Sequence, residues 1–191
     1  LRSPLNVAKG HLDLAREECD SAHLDTVADA QARMEALIED VLSLARQGQP
    51  IDETEPVDLS AVADRCWQVV ETTRGELVIE DDLTFMADEV RLQQILENLF
   101  RNAVEHGGDD VTIRVGVING DDGFYVTDDG SGIPPEDREH VFESGFSTAE
   151  GGTGFGLAIV KEIADAHGWT IAITESADGG ARFEFHGVEP A

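Results

Sequence analysis

Asn98 and Asn102 stand four residues apart, so on a helix their side-chain amides point the same way. Two neutral amide oxygens so placed could ligate Mg²⁺, which takes hard oxygen donors and borrows others from a nucleotide's phosphates. They could equally be two exposed asparagines on a solvated face. Further on, Asp128 and Asp129 lead into Gly130, Ser131, Gly132, Ile133, Pro134 and Pro135. A carboxylate ahead of glycines that admit a close ligand could accept a hydrogen bond from an exocyclic amine such as adenine N6. The same residues also make an ordinary tight turn. A third group, Gly151, Gly152, Thr153, Gly154, Phe155, Gly156 and Leu157, opens a helical pattern of Ala158, Ile159, Val160, Ile163 and Ala164, with Gly168 as its expected C-cap. Glycine-rich turns at a helix start suit phosphate, through free N–H groups and the helix dipole. A Rossmann turn is excluded because no strand leads directly into these glycines, and a Walker A loop because no Lys-Ser or Lys-Thr follows them. Before them, Pro134 to Thr153 form about twenty residues with little strand or long-helix pattern, and such long stretches in compact domains are usually lids.

These groups need elements to position them. Leu92, Ile95, Leu96, Leu99 and Ala103 give the 88–106 segment one apolar helical face beside the two asparagines. Around it the pattern predicts a helix at 58–73, strands at 76–80 and 85–87, strands at 111–118 and 123–128, a helix at 156–167, and strands at 169–175 and 181–187. That is an α+β layer, helices on one face of a mixed sheet. Upstream, Leu1, Leu5, Ala8, Leu12, Ala15 and Cys19 stripe one helix, and Leu24, Val27, Gln31, Met34, Ile38, Val41 and Ala45 form a heptad-like seam on a second. A break at Asp20, Ser21 and Ala22 makes this pair a hairpin. Two helices alone cannot cover such a stripe, and a second copy completing a four-helix bundle can, which predicts a homodimer through residues 1–47. Residues 48–57, with Gly48, Pro50 and Pro56, read as a linker, and 58–191 as a second domain.

Of 191 residues, 13 are basic and 40 acidic, for a formal charge of −27. Such a chain is no nucleic-acid binder. Its basic residues are 11 Arg and two Lys, Lys9 and Lys161, and 41% of the chain is hydrophobic, so the acidity belongs to a folded surface. In about 1 M salt the Debye length is about 3 Å, which screens the self-repulsion. A halophilic cytoplasm is therefore the expected setting. Cys19 and Cys66 lack partners at metal-ligand spacing and read as buried small hydrophobes. No apolar run reaches the ~20 residues of a membrane span and no signal-peptide pattern opens the chain, so no membrane segment is expected. Leu1 already reads as helix interior, which points to a piece of a longer protein.

In order and spacing, Asn98 with Asn102, then Asp128 to Gly132, Phe142 to Phe146 and Gly152 to Leu157 resemble the N, G1, F and G2 boxes of sensor histidine kinases. Residues 1–47 are similar to the dimerisation and histidine phosphotransfer hairpin, and 58–188 to the catalytic ATP-binding domain of the GHKL superfamily, an α/β sandwich. Gly179, Gly180 and Ala181 resemble its weaker last glycine box, and the acidity with little Lys resembles haloarchaeal members. The resemblance implies an ATP-dependent protein-histidine kinase that needs ATP and Mg²⁺, passes its phosphate to a response regulator, and belongs to two-component signal transduction. By the same implication Asn102 ligates Mg²⁺, Asn98 supports metal and phosphates, and Asp128 binds adenine. His106, Gly130, Gly132, Ile133, Phe146, Gly152, Thr153, Gly154, Phe155, Gly156 and Leu157 then line the nucleotide or brace the lid. The remaining histidines, His11, His23, His140, His167 and His186, are expected to be structural or superficial.

There are departures from the pattern. Leu1 to Leu5 resemble the end of the H box, which puts the phosphoacceptor His ahead of residue 1, with none in this chain. Ser3 matches a position that supports phosphatase activity in some members. Glu105 stands where a basic residue usually meets phosphate, leaving Arg101 or Lys161 to compensate. Glu97 and Arg101, four apart, are expected to form a surface ion pair. Two alternatives stay open: a dimeric nucleotide-binding scaffold without kinase activity, and a GHKL-type ATPase. The latter normally carries a catalytic Glu where this chain has Asn98.

Overall fold

The computed structural model describes residues 2–19, 21–45, 51, 53–70, 72, 74–118, 123–147 and 153–191. Two helices, α1 (Arg2–Glu18) and α2 (Ala22–Ala45), form the hairpin. Arg16 pairs with Asp25 across the bend at 2.9 Å. Leu12 is buried, and Gln31 of the expected seam is buried too, its Nε2 donating to Leu5 O at 2.8 Å. A buried amide is tolerated when bonded in this way. Cys66 is buried as expected, with Sγ 3.7 Å from Gln93 O and its thiol pushed up to about 12 by burial. Cys19 is a correction: it is exposed, one residue past the end of α1.

The rest is a two-layer structure, helices packed on a mixed sheet. Its elements are β1 (Glu55–Asp58), α3 (Leu59–Trp67), β2 (Glu76–Ile79), β3 (Thr84–Ala87), α4 (Glu89–Gly107), β4 (Thr112–Val117), β5 (Gly123–Asp128), α5 (Gly156–Ala166), β6 (Thr170–Glu175) and β7 (Ala181–His186). The five-stranded sheet runs β2-β4-β5-β7-β6, with β2 parallel to β4 and the other pairs antiparallel. Two expectations change. Residues 55–57 of the expected linker belong to β1, because Val57 is buried and pairs with Phe85 of β3. The helix expected to reach 73 stops at Trp67, just before the β-branched Val69 and Val70, where Val69 is exposed and gains nothing from continuing the buried face.

Period-two alternation explains the sheet's inner face: Ile113 and Val115 on β4, Phe124 and Val126 on β5, and Phe183 and Phe185 on β7 all point into the core. Phe124 stacks on Phe185 at 4.6 Å and on Phe85 at 5.4 Å, so the same aromatic cluster ties the small β1-β3 sheet to the large one. Against this face lie α4, through Leu92, Ile95, Leu96, Leu99 and Phe100, and α5, through Ile159, Val160, Ile163 and Ala164. Asp88 caps α4, accepting from Val90 N at 3.0 Å and Arg91 N at 3.1 Å. Its own N–H donates to His167 Nε2 at 3.1 Å, and His167 Nδ1–H donates to Ile163 O at 2.9 Å while the ring stacks on Trp169. Burial holds this imidazole below its ordinary pKa, which keeps Nε2 an acceptor. His167 thus pins the start of α4 to the end of α5, the two helices that carry the site.

Candidate functional site

Because α4 turns its Leu and Ile residues to the sheet, Asn98 and Asn102 between them face the start of α5. Asn98 is 3% exposed. Its Nδ2 donates to Gln94 O at 2.8 Å and its Oδ1 accepts from Arg101 Nη2 at 2.6 Å, so the amide is held in one orientation. Asn102 is half-buried, one turn further on. The expected Glu97–Arg101 ion pair is corrected here. Glu97 accepts instead from Gln93 Nε2 at 2.6 Å, and the guanidinium turns to Asn98.

Facing the two amides is Gly156, the first residue of α5. A Cβ placed on it would stand 3.2 Å from Asn98 Oδ1 and 3.6 Å from Asn102 Oδ1. Phe155 stands at the N-cap of α5 and makes no side-chain cap bond, so its side chain satisfies none of the first N–H groups. Upstream, Gly154 has φ +71 and lies so close to Gly145 that a Cβ would come within 2.6 Å of the Gly145 carbonyl carbon. Gly145 N also donates to Gly154 O at 2.9 Å. The residue just past the segment expected as a lid, Gly154, is therefore tied back to Gly145 within that segment. Thr153 Oγ1 accepts from Phe155 N at 3.4 Å, and Phe155, Leu157 and Ile133 pack against the core. Phe146 is half-buried and its N–H donates to Glu143 O at 3.1 Å. Gly152 and the side chain of Ser3 lie outside the described residues.

The second half of the site is the end of β5. Asp128 Oδ1 accepts from Gly130 N at 2.9 Å and Ala181 N at 3.2 Å, so Oδ2 is the oxygen left to meet a ligand. Burial pushes the carboxyl above its ordinary range, opposed by those two N–H donors and by nearby His106. Only glycine fits at 180, where a Cβ would collide with Asp128 O and Oδ1. Gly130 packs on α4: a Cβ there would meet Gly107 Cα at 2.9 Å. Gly132, at φ +70, faces the carbonyl of Gly179. The structure therefore brings Asn98, Asn102 and Gly156 into one cluster and Asp128, Gly130, Gly132 and His106 into a second, both bordered by α4. Sequence reasoning did not find the Ala181 N–H, the Gly107–Gly130 approach or the Gly145–Gly154 tie. The Gly179–Ala181 motif was the visible signal for the first of these.

Chemically the site offers the fixed amide of Asn98, the amide of Asn102, a buried carboxylate and a helix start that its own N-cap side chain leaves uncapped. No group of three or more His, Cys, Asp or Glu side chains among the described residues could hold a metal ion. A divalent ion here would depend on the amides and on oxygens brought by the ligand.

Two family models match. One is described as histidine kinase-, DNA gyrase B-, and HSP90-like ATPase and covers residues 87–189; the other, a His Kinase A (phospho-acceptor) domain, covers residues 1–50. Sensor protein RstB of Escherichia coli is 32% identical over 206 residues, covering 97% of this chain and 46% of the relative. Sensor histidine kinase YkoH of Bacillus subtilis is 28% identical over 190 residues, covering 91% and 42%. The chain thus spans less than half of these relatives. Full-length ShkA, solved in complex with AMPPNP, superposes with a TM-score of 0.75 at 28% identity over 100% of this chain and 44% of that one. The mycobacterial sensor histidine kinase MprB superposes with a TM-score of 0.61 at 27% identity, over 72% of this chain and 99% of that one.

Proposed function

The chain belongs to the family of histidine kinase-, DNA gyrase B- and HSP90-like ATPases, with a phospho-acceptor-type hairpin ahead of that domain, and on that premise we propose that it is the catalytic core of a sensor histidine kinase. It takes the γ-phosphate of ATP to a histidine on the hairpin for relay to a response regulator. The observation that carries this reading is the placement of Asn98 and Asn102 against the glycine-opened start of α5, where a Cβ would stand 3.2 Å from one amide oxygen and 3.6 Å from the other. Hard oxygen donors beside a helix start that bears no side chain fit a Mg-nucleotide. Asn102 would hold the metal, since the Asn98 oxygen is already engaged by Arg101. Bound Mg²⁺ would neutralise charge on the phosphates. Asp128 Oδ2 accepts from the adenine N6 amine, Gly130 and Gly132 let the base approach, and the α5 N–H groups receive phosphate oxygens. His106, Ile133, Phe146, Gly152, Thr153, Gly154, Phe155, Gly156 and Leu157 enclose the nucleotide. The protein's work is to position and to exclude water.

Residues 1–47 serve as the dimerisation and phosphotransfer hairpin, the stretch ahead of β1 as connection, and the chain from β1 (Glu55–Asp58) onward as the catalytic domain. Val7, Leu14, Val27 and Met34 are exposed on the hairpin helices, apolar surface that a second copy would cover. No helix among the described residues is long and apolar enough to cross a membrane. We place the domain in the cytoplasm. The relatives named above are bacterial; the haloarchaeal, salt-adapted reading rests on composition. A gyrase-type ATPase is disfavoured because its catalytic carboxylate would have to stand where Asn98 sits, buried and fixed through both amide atoms.

The test mixes this chain, in molar KCl with Mg²⁺ and γ-labelled ATP, with a longer chain that carries the acceptor histidine and is disabled by Asn102→Ala. Acid-labile, alkali-stable label on the longer chain is the expected result. No label, despite shown ATP binding and heterodimer formation, replaces this reading with a scaffold or an ATPase.

A further inference from the structure

The nucleotide brings several negative charges to a site already bordered by acids. Glu105 lies on the exposed face of α4 one turn after Arg101, Glu97 one turn before it, and Asp129 beside Asp128. A cationic side chain beside a metal strengthens the hold on terminal phosphates through charge-assisted bonds. Besides Arg91, which sits at the start of α4 beside Asp88, two cationic side chains belong to the helices that meet at Gly156. Lys161 of α5 is held in an ion pair with Asp165 on its own helix. Arg101 is the other. Its Nη2 rests on Asn98 Oδ1 at 2.6 Å, and that same oxygen lies 3.2 Å from where a Cβ on Gly156 would stand. The guanidinium is therefore anchored on a buried amide at the mouth of the uncapped α5 terminus. Arg101 itself is exposed, and a guanidinium carries five donors in a planar fork suited to phosphate, of which Asn98 takes one.

We propose that Arg101 contacts the terminal phosphates of the nucleotide, supplying the cation that Glu105 does not, with Asn98 as the arm that orients it. This assignment rests on the nucleotide reading above. Buried Asn98 then has a defined role, since its amide oxygen aims a guanidinium and leaves the metal to Asn102. The contact also separates ATP from ADP, because a fork at the helix mouth senses the charge added by the last phosphate.

The test is calorimetric titration of the full chain with Mg-ATP and Mg-ADP in molar KCl, for the native chain, Arg101→Gln and Arg101→Lys. Loss of one charge-assisted contact predicts that Arg101→Gln weakens Mg-ATP by about 10- to 100-fold and Mg-ADP by much less. Arg101→Lys, which keeps the charge but not the fork, should recover part of the loss. Adding Glu105→Lys to Arg101→Gln should restore ATP preference. Equal weakening of both nucleotides would show that Arg101 merely holds Asn98 in place, and would overturn the direct contact, as would unchanged affinity for both. Native chain that binds ATP while Arg101→Gln is silent on it removes only Arg101; native chain that binds neither nucleotide removes the nucleotide reading and this assignment together. Melting temperatures of the variants, expected to match the native chain, separate these outcomes from misfolding.

Discussion

At the scale of single residues, Asp128 sets function against stability. Its carboxyl titrates above the ordinary 3.8 because burial penalises the charge. A group whose folded pKa is raised stabilises the fold fully below its unfolded pKa, and that stabilisation is lost as pH rises through the folded pKa. From just above 3.8 upward, therefore, the ionised carboxylate works against the fold and is useful only to a ligand donor. Asn at 128 keeps an oxygen for the Gly130 and Ala181 N–H groups, carries no charge, and turns a donor toward the adenine amine. Asp128→Asn should consequently leave the melting temperature at pH 7 unchanged or raised, with any gain vanishing below about pH 4, while Mg-ATP affinity falls at least about 10-fold. A titration showing native affinity would remove Asp128 from the site. The residue type and its glycine neighbours were legible in the sequence. Its second donor was not, because Ala181 lies 53 positions away and reaches it only through the β5–β7 pairing.

At the scale of elements, the distance between α4 and α5 decides what the site can hold. In a helix interior, replacing Gly by Ala stabilises by about 1 kcal/mol, and at a first helical position such as Gly156 by less. At Gly156 that gain meets a contact of 3.2 Å to Asn98 Oδ1, and the methyl group would occupy the space shared with Asn102 Oδ1. Gly156→Ala should therefore leave the melting temperature within a few degrees of native, the two effects opposing, while Mg-nucleotide affinity drops by about 10-fold or more. Calorimetry beside a thermal melt reads both, and native affinity would show that nothing is bound in the gap. The helices and sheet strands were readable because their apolar periods are long: α4 repeats Leu92, Ile95, Leu96, Leu99 and Ala103 without interruption. β1 was not, since Glu55, Pro56 and Asp58 leave Val57 as its single apolar residue. Its stability comes from pairing with β3, a partner that no local pattern reveals. The same limit hid the Arg101–Asn98 bond, because helical spacing alone allowed Glu97 as a partner equally well.

At the scale of the whole molecule, a formal charge of −27 must be reconciled with folding and with binding a polyanion. Exposed ion pairs do not provide the answer. Arg16–Asp25, Arg65–Glu89 and Lys161–Asp165 sit at the surface, where such pairs contribute about 0–1 kcal/mol and weaken in salt. The aromatic and aliphatic core strengthens or holds in concentrated salt, and the repulsion among 40 acidic side chains is what salt removes. The net response to salt is therefore a loss for an ion-pair-stabilised protein and a gain for this one. If screening is worth about 3 kcal/mol, the thermal midpoint of a chain this long should rise by about 6–12 °C between dilute buffer and molar KCl. Differential scanning fluorimetry across a KCl series, with sucrose as an uncharged control, measures it. A midpoint that climbs with KCl and much less with sucrose assigns the gain to charge screening, and Mg-ATP affinity should then strengthen along the same series, because the acidic surface that repels neighbouring carboxylates repels the phosphates as well. A midpoint that stays flat or falls would make the acidity a solubility feature only, and would remove the salt-adapted setting from the functional reading while leaving the nucleotide site untouched.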